Sequence, residues 1–158
     1  ARLCGASTVI GVDRLAGRLA IARQFGVDFV IDSGRTDPVE EILRLTGGRG
    51  VDVAIEALGI QATFEACLRV LRPGGTLSSL GVYASDLKIP VRAFAAGLGD
   101  HRILTTLCPG GKERMRRLMA VIQAGRLDLS PLVTHRFRLD AIEQAYDRAL
   151  LGRNEFSR

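Results

Sequence analysis

The sequence predicts an α/β protein built on a doubly wound parallel sheet. Short apolar segments alternate along the chain with helical segments, an order typical of β-α-β units. Residues 9–12 and 51–55 are largely apolar at successive positions, as strands buried on both faces of a parallel sheet are. The chain of 158 residues, 47% of them hydrophobic, is long enough for one domain with a sizeable core.

The first two predicted strands enclose a helix. Residues 9–12 form an apolar strand that is followed by an acid, Asp13, and a polar helix start. The helix is predicted over residues 18–25 and ends at Gly26. Residues 28–31 form the second strand.

The second helix has clear signals at both of its ends. Asp37 is a favourable N-cap, Pro38 fits the first helical position, and the acids at 40–41 lie at the positive end of the helix dipole. The glycines at 47–48 end the helix, and residues 51–55 form the third strand.

The winding continues to about residue 125. Residues 73–75 turn the chain into a strand over 76–80, residues 103–107 form a fifth strand, and a long helix covers 112–124. A helix over 61–71 precedes that turn, because apolar side chains recur there at helical spacing, at Phe64, Cys67, Leu68 and Leu71.

The last part of the chain does not continue the winding. It reads as an alternating strand followed by a helix capped by Asp140. We therefore expect a partial nucleotide-binding domain over 1–129 and a segment over 130–158 that packs elsewhere.

Charge and hydropathy exclude two classes of partner. The net charge of +5 is mild and its arginines are dispersed, which favours a solvated surface over a nucleic-acid interface. No apolar run approaches the roughly 20 residues that span a bilayer, so we expect no membrane partner.

Cysteine and histidine usage argues against disulfides and metal. Three dispersed cysteines, Cys4, Cys67 and Cys108, are typical of a reducing compartment, and we expect a cytoplasmic protein. The two histidines, His101 and His135, have no metal-ligand spacing with them, and we assign no metal site and no catalytic residue.

Two glycine clusters resemble phosphate loops. Residues 47–50 precede a strand, whereas a phosphate loop must follow one. Residues 109–112 open a helix and could hold an anion there, but they lack the Walker spacing, so a turn with a helix start is favoured.

The acid after the first strand raises a nucleotide hypothesis. Dinucleotide-binding folds place an acid on the adenosine ribose roughly 20 residues after a glycine-rich loop. Counting back that far from Asp13 passes the first residue of the chain. Asp13 is therefore a ribose ligand or a helix N-cap, and the two roles are compatible.

The order and spacing of several segments resemble the nucleotide-binding domain of zinc-dependent, medium-chain alcohol dehydrogenases, nearest the bacterial secondary-alcohol branch. The resemblance extends from about Cys4 to Leu151, through "VIGVDRLAGRLAIARQFG", "GGRGVDVAIEALG", "LRPGGTLSSLGVY", "LCPGGKERMRRL" and "PLVTHRFRLDAIEQAYDRAL". It implies a Rossmann-like sheet without its first strand, which is central in the family, and without the glycine loop and the zinc ligands. The ending "GRNEFSR" also departs from the family's closing strand. The chain thus resembles an excerpt truncated at both ends.

The resemblance also implies cofactor contacts. Asp13 would hold both adenosine ribose hydroxyls, Arg18 would reach the ribose or phosphate, and Arg14 would soften the selectivity of the acid. The remaining expected contacts come from three strand ends: Ala57, Leu58 and Gly59 along the cofactor, Leu80, Gly81, Val82 and Tyr83 at the nicotinamide, and Leu107 and Cys108 near the carboxamide. Gly59 in a plain tight turn is the alternative there, and Glu56 is more readily structural than catalytic.

The implied reaction is hydride transfer between an alcohol or carbonyl substrate and NAD, with zinc as Lewis acid in the parent enzyme. The chain alone is expected to be inactive. The resemblance further implies a homodimer or homotetramer through the edge strand at 103–107, where an exposed apolar edge invites pairing.

Two alternatives remain open. Methyltransferases that use S-adenosylmethionine also place an acid after the second strand and often carry "LRPGG", although the tail of this chain fits the dehydrogenase pattern better. A non-enzymatic nucleotide-binding remnant is the other.

Overall fold

The computed structural model describes residues 1–94, 100–106 and 110–154. The chain divides into two compact units, Ala1–Met119 and Ala120–Arg158. The predicted domain boundary at residue 129 stays a prediction, because it rests on packing against a further domain.

Strands and helices alternate through the first unit. The strands are β1 (Ile10–Asp13), β2 (Phe29–Asp32), β3 (Val51–Glu56), β4 (Leu71–Ser79) and β5 (Arg102–Thr105). The helices are α1 (Ala16–Gln24), α2 (Pro38–Leu45), α3 (Gln61–Arg69), α4 (Lys112–Gln123), which crosses into the second unit, and α5 (Ile142–Asn154) within it. Short 3₁₀ helices cover Arg2–Cys4, Val91–Phe94, Ser130–Leu132 and Leu139–Ala141.

All strand pairs in the described residues are parallel, which confirms the predicted fold class. β1 pairs with β2, and β3, β4 and β5 form a second sheet in that order. No described strand joins β1 to β3, and the resemblance places a central strand there. The registers align the strand ends: Asp13 lies opposite Asp32, and Glu56 lies opposite Ser79.

The core lies between the sheets and the helices α2 and α3. Leu68, Leu71 and Leu77 are fully buried, and Phe64 and Ile42 pack in the same cluster. Burying side chains of this size contributes about 1.5–3 kcal/mol each. The prediction that residues 51–55 are buried on both faces is wrong for this chain, because Val53 and Ile55 are exposed on the opposite face of β3.

Helix α2 begins as its sequence predicts. The Asp37 carboxylate accepts hydrogen bonds from the backbone N–H groups of Val39 (2.7 Å) and Glu40 (3.4 Å), and Pro38 is the first helical residue. These bonds satisfy donors that the first turn leaves without intrahelical partners.

The transition from α3 to β4 differs from the prediction. The helix ends at Arg69 rather than at residue 71, and Leu71 already belongs to β4. The turn predicted at 73–75 lies inside this strand, where the pairing register with β3 shifts between Val51 and Val53. A bulge therefore accommodates the Pro-Gly-Gly segment, since proline cannot donate to a strand ladder.

The strand predicted early in the last segment is wrong. Residues 133–138 have no strand partner, and a 3₁₀ helix, Ser130–Leu132, precedes them. Asp140 lies within the 3₁₀ helix Leu139–Ala141 instead of capping α5. Alternation alone does not make a strand, because its backbone groups need a neighbour to pair with. No helix in the described parts of the chain is long and apolar enough to cross a bilayer.

Candidate functional site

The predicted contact residues of the second sheet lie where β3 and β4 end. Residues 57–60 connect β3 to α3, and residues 80–83 follow β4 directly. Ligands of open parallel α/β sheets bind at the carboxyl ends of the strands. We call residues 57–59 and 80–83 the paired loops.

A buried carboxylate joins the paired loops. Glu56, the last residue of β3, is only 1% exposed. Its Oε1 accepts hydrogen bonds from the N–H groups of Leu58 (2.9 Å) and Gly59 (2.8 Å) and from the hydroxyl of Thr63 (2.7 Å). Its Oε2 accepts one from the hydroxyl of Tyr83 at 2.7 Å. One side chain thus holds both loops and the first turn of α3.

The network extends along β4. The Tyr83 hydroxyl lies 2.7 Å from Oγ of Ser79, and the backbone N–H of Leu80 donates to the Glu56 carbonyl at 2.7 Å. The Tyr83 ring meets Phe64 edge-on, with ring centroids 6.0 Å apart. Tyr83 therefore has its hydroxyl in the network and its ring against the core.

The network keeps its members in fixed protonation states. Burial raises the pKa of Glu56, but hydrogen bonds from Thr63, Tyr83, Gly59 and Leu58 outweigh it, and the pKa falls below its ordinary 4.5. Burial raises the pKa of Tyr83, the bond with Ser79 opposes this, and the adjacent carboxylate raises it further. Near neutral pH the carboxylate is charged and the phenol is neutral.

The negative charge of the Glu56 carboxylate also affects the pKa of the Cys67 thiol. Burial raises the pKa of its thiol to about 11, and the negative charge of Glu56 contributes to the rise. The thiol is therefore neutral near pH 7, and a neutral thiol is a poor nucleophile.

Glycine is required where the paired loops touch. Gly59 has a φ of +90°, and a Cβ there would lie within 3.0 Å of the Val82 backbone. A Cβ on Gly81 would approach Gly59 and the Glu56 carboxylate just as closely. Any larger residue would force the loops apart.

The outer side of the paired loops is apolar and open. Leu58 and Leu80 are exposed, Val82 is 82% exposed, and Ala57 is also at the surface. These exposed side chains form an apolar surface at the carboxyl ends of β3 and β4.

Asp13 is the last residue of β1, and its carboxylate contacts two nearby groups. Its Oδ1 accepts a hydrogen bond from the N–H of Leu15 at 2.9 Å, and its Oδ2 lies 3.7 Å from a guanidinium nitrogen of Arg18. The N-cap of α1 is Leu15, so the N-cap role considered for Asp13 is not observed. The Asp13 side chain is 27% exposed, and a carboxylate has acceptor positions for further donors. Arg14, the next residue, is exposed.

Two predicted contacts lie outside the described residues. Leu107 and Cys108 follow β5, which the structure describes as far as Thr105. Within the described ranges, no group of three or more His, Cys, Asp or Glu side chains could hold a metal ion.

Sequence reasoning gives Glu56 a structural role but does not identify its partners. Thr63, Ser79 and Tyr83 lie 7, 23 and 27 residues away along the chain, and only the fold brings them together. A local signal does exist, because an acid at the end of an apolar strand is followed at short spacing by Gly59.

Comparison with known proteins gives one family. A family model described as "Zinc-binding dehydrogenase" matches residues 1–124. An alcohol dehydrogenase of Cupriavidus necator is 67% identical over 147 residues, covering 93% of this chain and 40% of that protein. An NADP-dependent isopropanol dehydrogenase of Thermoanaerobacter brockii is 34% identical over 150 residues, covering 92% of this chain and 42% of that protein.

Solved structures agree with this comparison. The alcohol dehydrogenase TADH from Thermus sp. ATN1 superimposes with a TM-score of 0.84 at 27% identity, covering 98% of this chain and 43% of that one. Zinc dependent alcohol dehydrogenase 2 from Streptococcus pneumonia gives 0.81 at 31% identity, covering 95% and 43%. The chain spans about 40% of the length of the curated relatives it matches.

Proposed function

Since the chain belongs to the zinc-binding dehydrogenase family, we propose that it is the cofactor-binding part of an enzyme that transfers hydride between an alcohol and NAD. The observation that carries this proposal is the pair of loops held together at the ends of β3 and β4, whose exposed apolar side chains lie where such sheets bind ligands. The family and its alcohol dehydrogenase relatives give no support to a methyltransferase.

Asp13 is proposed to hold the adenosine ribose. Its second oxygen is only loosely engaged at 3.7 Å from Arg18, so it can accept bonds from the two vicinal hydroxyls. Arg18, beside it, is proposed to reach the ribose or the phosphate, and Arg14 to weaken the selectivity of the acid.

The paired loops are proposed to hold the rest of the dinucleotide. Ala57, Leu58 and Gly59 would lie along the cofactor, and the backbone at Gly81 and Val82 would contact the nicotinamide. Tyr83 would act through its backbone, because its hydroxyl is already bonded within the network. Leu107 and Cys108 remain expected near the carboxamide.

The side chains of the described residues determine which tasks this chain can perform in the proposed reaction. Bound NAD would accept the hydride, and the described residues would bind and orient it. They include no cluster that fits zinc, so no step of the reaction is assigned to a metal held by them.

Asp13 also supports NAD over NADP. The 2′-phosphate of NADP would lie next to its carboxylate, and two like charges about 4 Å apart repel by about 1 kcal/mol in water and about 4 kcal/mol near a protein surface. Three relatives at 32–34% identity are named NADP-dependent isopropanol dehydrogenases, so the preference for NAD rests on Asp13 and not on the names of these relatives.

We propose association through β5. Leu104 is exposed on this short strand, β5 pairs only with β4 among the described residues, and an open edge can pair with a copy of itself. A homodimer or homotetramer in the cytoplasm is the assembly proposed.

The test is a chimera in which this chain replaces the matching part of the Cupriavidus necator alcohol dehydrogenase. We expect the chimera to bind NADH, measured by fluorescence enhancement, and to oxidise secondary alcohols. S-adenosylmethionine should not compete. A chimera that folds cooperatively but binds no nicotinamide cofactor would leave the remnant hypothesis as the better one.

A further inference from the structure

We propose that Glu56 is a positioning residue whose single buried carboxylate sets the shape of the paired loops for the cofactor. This inference rests on the proposed function, because the loops are its proposed binding surface.

The burial of Glu56 needs an explanation beyond stability. Glu56 and Ser79 are the buried polar or charged residues among the described residues, and Glu56 has no ion-pair partner there. Taking a carboxylate out of water is costly, and an apolar side chain of similar volume is often as stable at a buried site. Four donors nevertheless converge on this group, from Leu58, Gly59, Thr63 and Tyr83.

The donors belong to three separate segments. Two are backbone N–H groups of the loop after β3, one is a hydroxyl in the first turn of α3, and one is a hydroxyl that follows β4. The carboxylate is therefore the common contact of every segment around the paired loops. Removing the carboxylate would therefore take one shared contact from all three segments.

The inner and outer sides of the loops are mechanically linked. Leu58 donates its backbone N–H inward to Glu56 while its side chain is exposed. Gly81 lies directly against the carboxylate, and its neighbours Leu80 and Val82 are exposed. We therefore expect a change in the length or volume of the side chain at position 56 to displace the exposed side chains of Leu58, Leu80 and Val82.

Substitutions at residue 56 separate geometry from charge. In Glu56→Gln the amide oxygen can still accept from Leu58, Gly59 and Thr63, and Tyr83 can donate to Ser79 instead, since either hydroxyl can be the donor there. In Glu56→Ala the backbone N–H groups of Leu58 and Gly59 lose their acceptor, whereas the hydroxyls of Thr63 and Tyr83 retain only the Ile60 carbonyl and Ser79. The glutamine variant keeps the arrangement, and the alanine variant does not.

The experiment uses the chimera and NADH as the probe. We expect Glu56→Ala to raise the Kd for NADH and the KM for NAD by about tenfold or more, the cost of leaving buried donors unsatisfied. Its kcat at saturating NAD should stay within about threefold, and Glu56→Gln should stay within about threefold in all three constants. Glu40→Gln, at an exposed glutamate on α2, is the matched control and should change nothing.

NADH affinity is measured well below the melting temperature of every variant, so that a change in affinity does not reflect unfolding. Should Glu56→Ala not fold, Tyr83→Phe is the second variant, because it removes one donor and keeps the ring that packs on Phe64. We expect it to raise the NADH Kd about threefold or more with kcat retained. Unchanged NADH affinity in a folded Glu56→Ala or Tyr83→Phe chimera would overturn the inference. Failure of the unsubstituted chimera to bind NADH would instead overturn the proposed function.

Discussion

The hydroxyl of Tyr83 lies 2.7 Å from Oε2 of Glu56, although the two residues are 27 positions apart in the sequence. This bond ties the loop after β4 to the end of β3, two places where the cofactor surface is proposed. It also places a phenol and a carboxylate in one buried network, which makes the stability of the fold depend on pH in two directions.

The Glu56–Tyr83 pair should be most stabilising between the ordinary pKa values of its members. The folded pKa of Glu56 lies below 4.5, so its contribution is complete above pH 4.5 and is lost as the pH falls through the folded value. The folded pKa of Tyr83 lies above 10.0, so its contribution is complete below pH 10.0 and is lost as the pH rises through the folded value.

Melting temperatures of the chimera across pH test this window. Between about pH 5 and about pH 3 the unsubstituted protein should lose more stability than Glu56→Gln. Glu40→Gln should follow the unsubstituted curve more closely than Glu56→Gln does, because Glu40 is exposed and loses only the weak attraction between its charge and the positive end of α2. Superimposable acid limbs for Glu56→Gln and the unsubstituted protein would contradict this prediction.

Cys67 should react far more slowly with a disulfide reagent than Cys4. Cys4 is exposed, whereas burial and the Glu56 charge raise the pKa of Cys67 to about 11. The measurement is the rate of thiol modification near pH 8 in a Cys108→Ser background, followed by peptide mapping. Glu56→Gln should lower the Cys67 pKa, because it removes the second contribution to the shift. Equal rates at the two thiols would show that Cys67 is not buried in solution.

Alanine at Gly81 should destabilise the protein, whereas alanine at Gly17 should not. A Cβ at Gly81 would lie within 3.0 Å of Gly59 and the Glu56 carboxylate, so we expect a loss of about 1–3 kcal/mol. Gly17 lies in α1 with nothing within 4 Å of an added Cβ, and helix propensity favours alanine there by about 1 kcal/mol. Urea denaturation of both variants gives the comparison. A neutral Gly81→Ala would mean that the paired loops are not packed as described.

The features that sequence predicts well are those with local causes. The start of α2 follows from Asp37 and Pro38, whose effects act within one turn. The strands follow from apolar runs, and the bounds of β1, β2, β3 and β5 lie within one or two residues of the prediction, whereas β4 begins five residues earlier than predicted. The Pro-Gly-Gly segment looks like a turn, but pairing with β3 draws it into β4.

The residues of the candidate site also differ in whether a local sequence pattern identifies them. Asp13 is predictable because an acid after an apolar strand is a local pattern. The donors to Glu56 are not, because Thr63 and Tyr83 reach it only after α3 and β4 have packed. The strand expected near residue 133 fails for the same reason, since a strand exists only through its partner.

The effect of a substitution at Val53 on stability should show whether the exposed face of β3 is covered in a longer protein. Val53 and Ile55 are exposed in this chain. Val53→Thr should therefore cost little stability in the 158-residue polypeptide and should reduce its self-association, measured by light scattering. In the chimera we expect the same substitution to cost about 1–3 kcal/mol, because a hydroxyl would be buried without a partner. Equal effects in both proteins would show that this face stays open.

The last prediction concerns cofactor choice at Asp13. The Asp13 carboxylate should disfavour the 2′-phosphate of NADP by about 1–4 kcal/mol, or roughly five- to a thousandfold in the ratio of kcat/KM for NAD and NADP. Asp32 lies opposite Asp13 in the strand register and adds a second negative charge at this end of the sheet. Arg18, at 3.7 Å, and the exposed Arg14 act in the other direction.

Two substitutions in the chimera separate these charges. Asp13→Asn removes the repulsion and keeps a hydrogen-bonding side chain, so the preference for NAD should fall by about fivefold or more. Arg14→Ala removes a positive charge without touching the ribose acceptor, so the preference for NAD should rise or stay the same. A chimera that uses NADP better than NAD, with a ratio unchanged by Asp13→Asn, would show that Asp13 does not face the ribose, since a carboxylate at that position cannot be neutral toward a neighbouring phosphate.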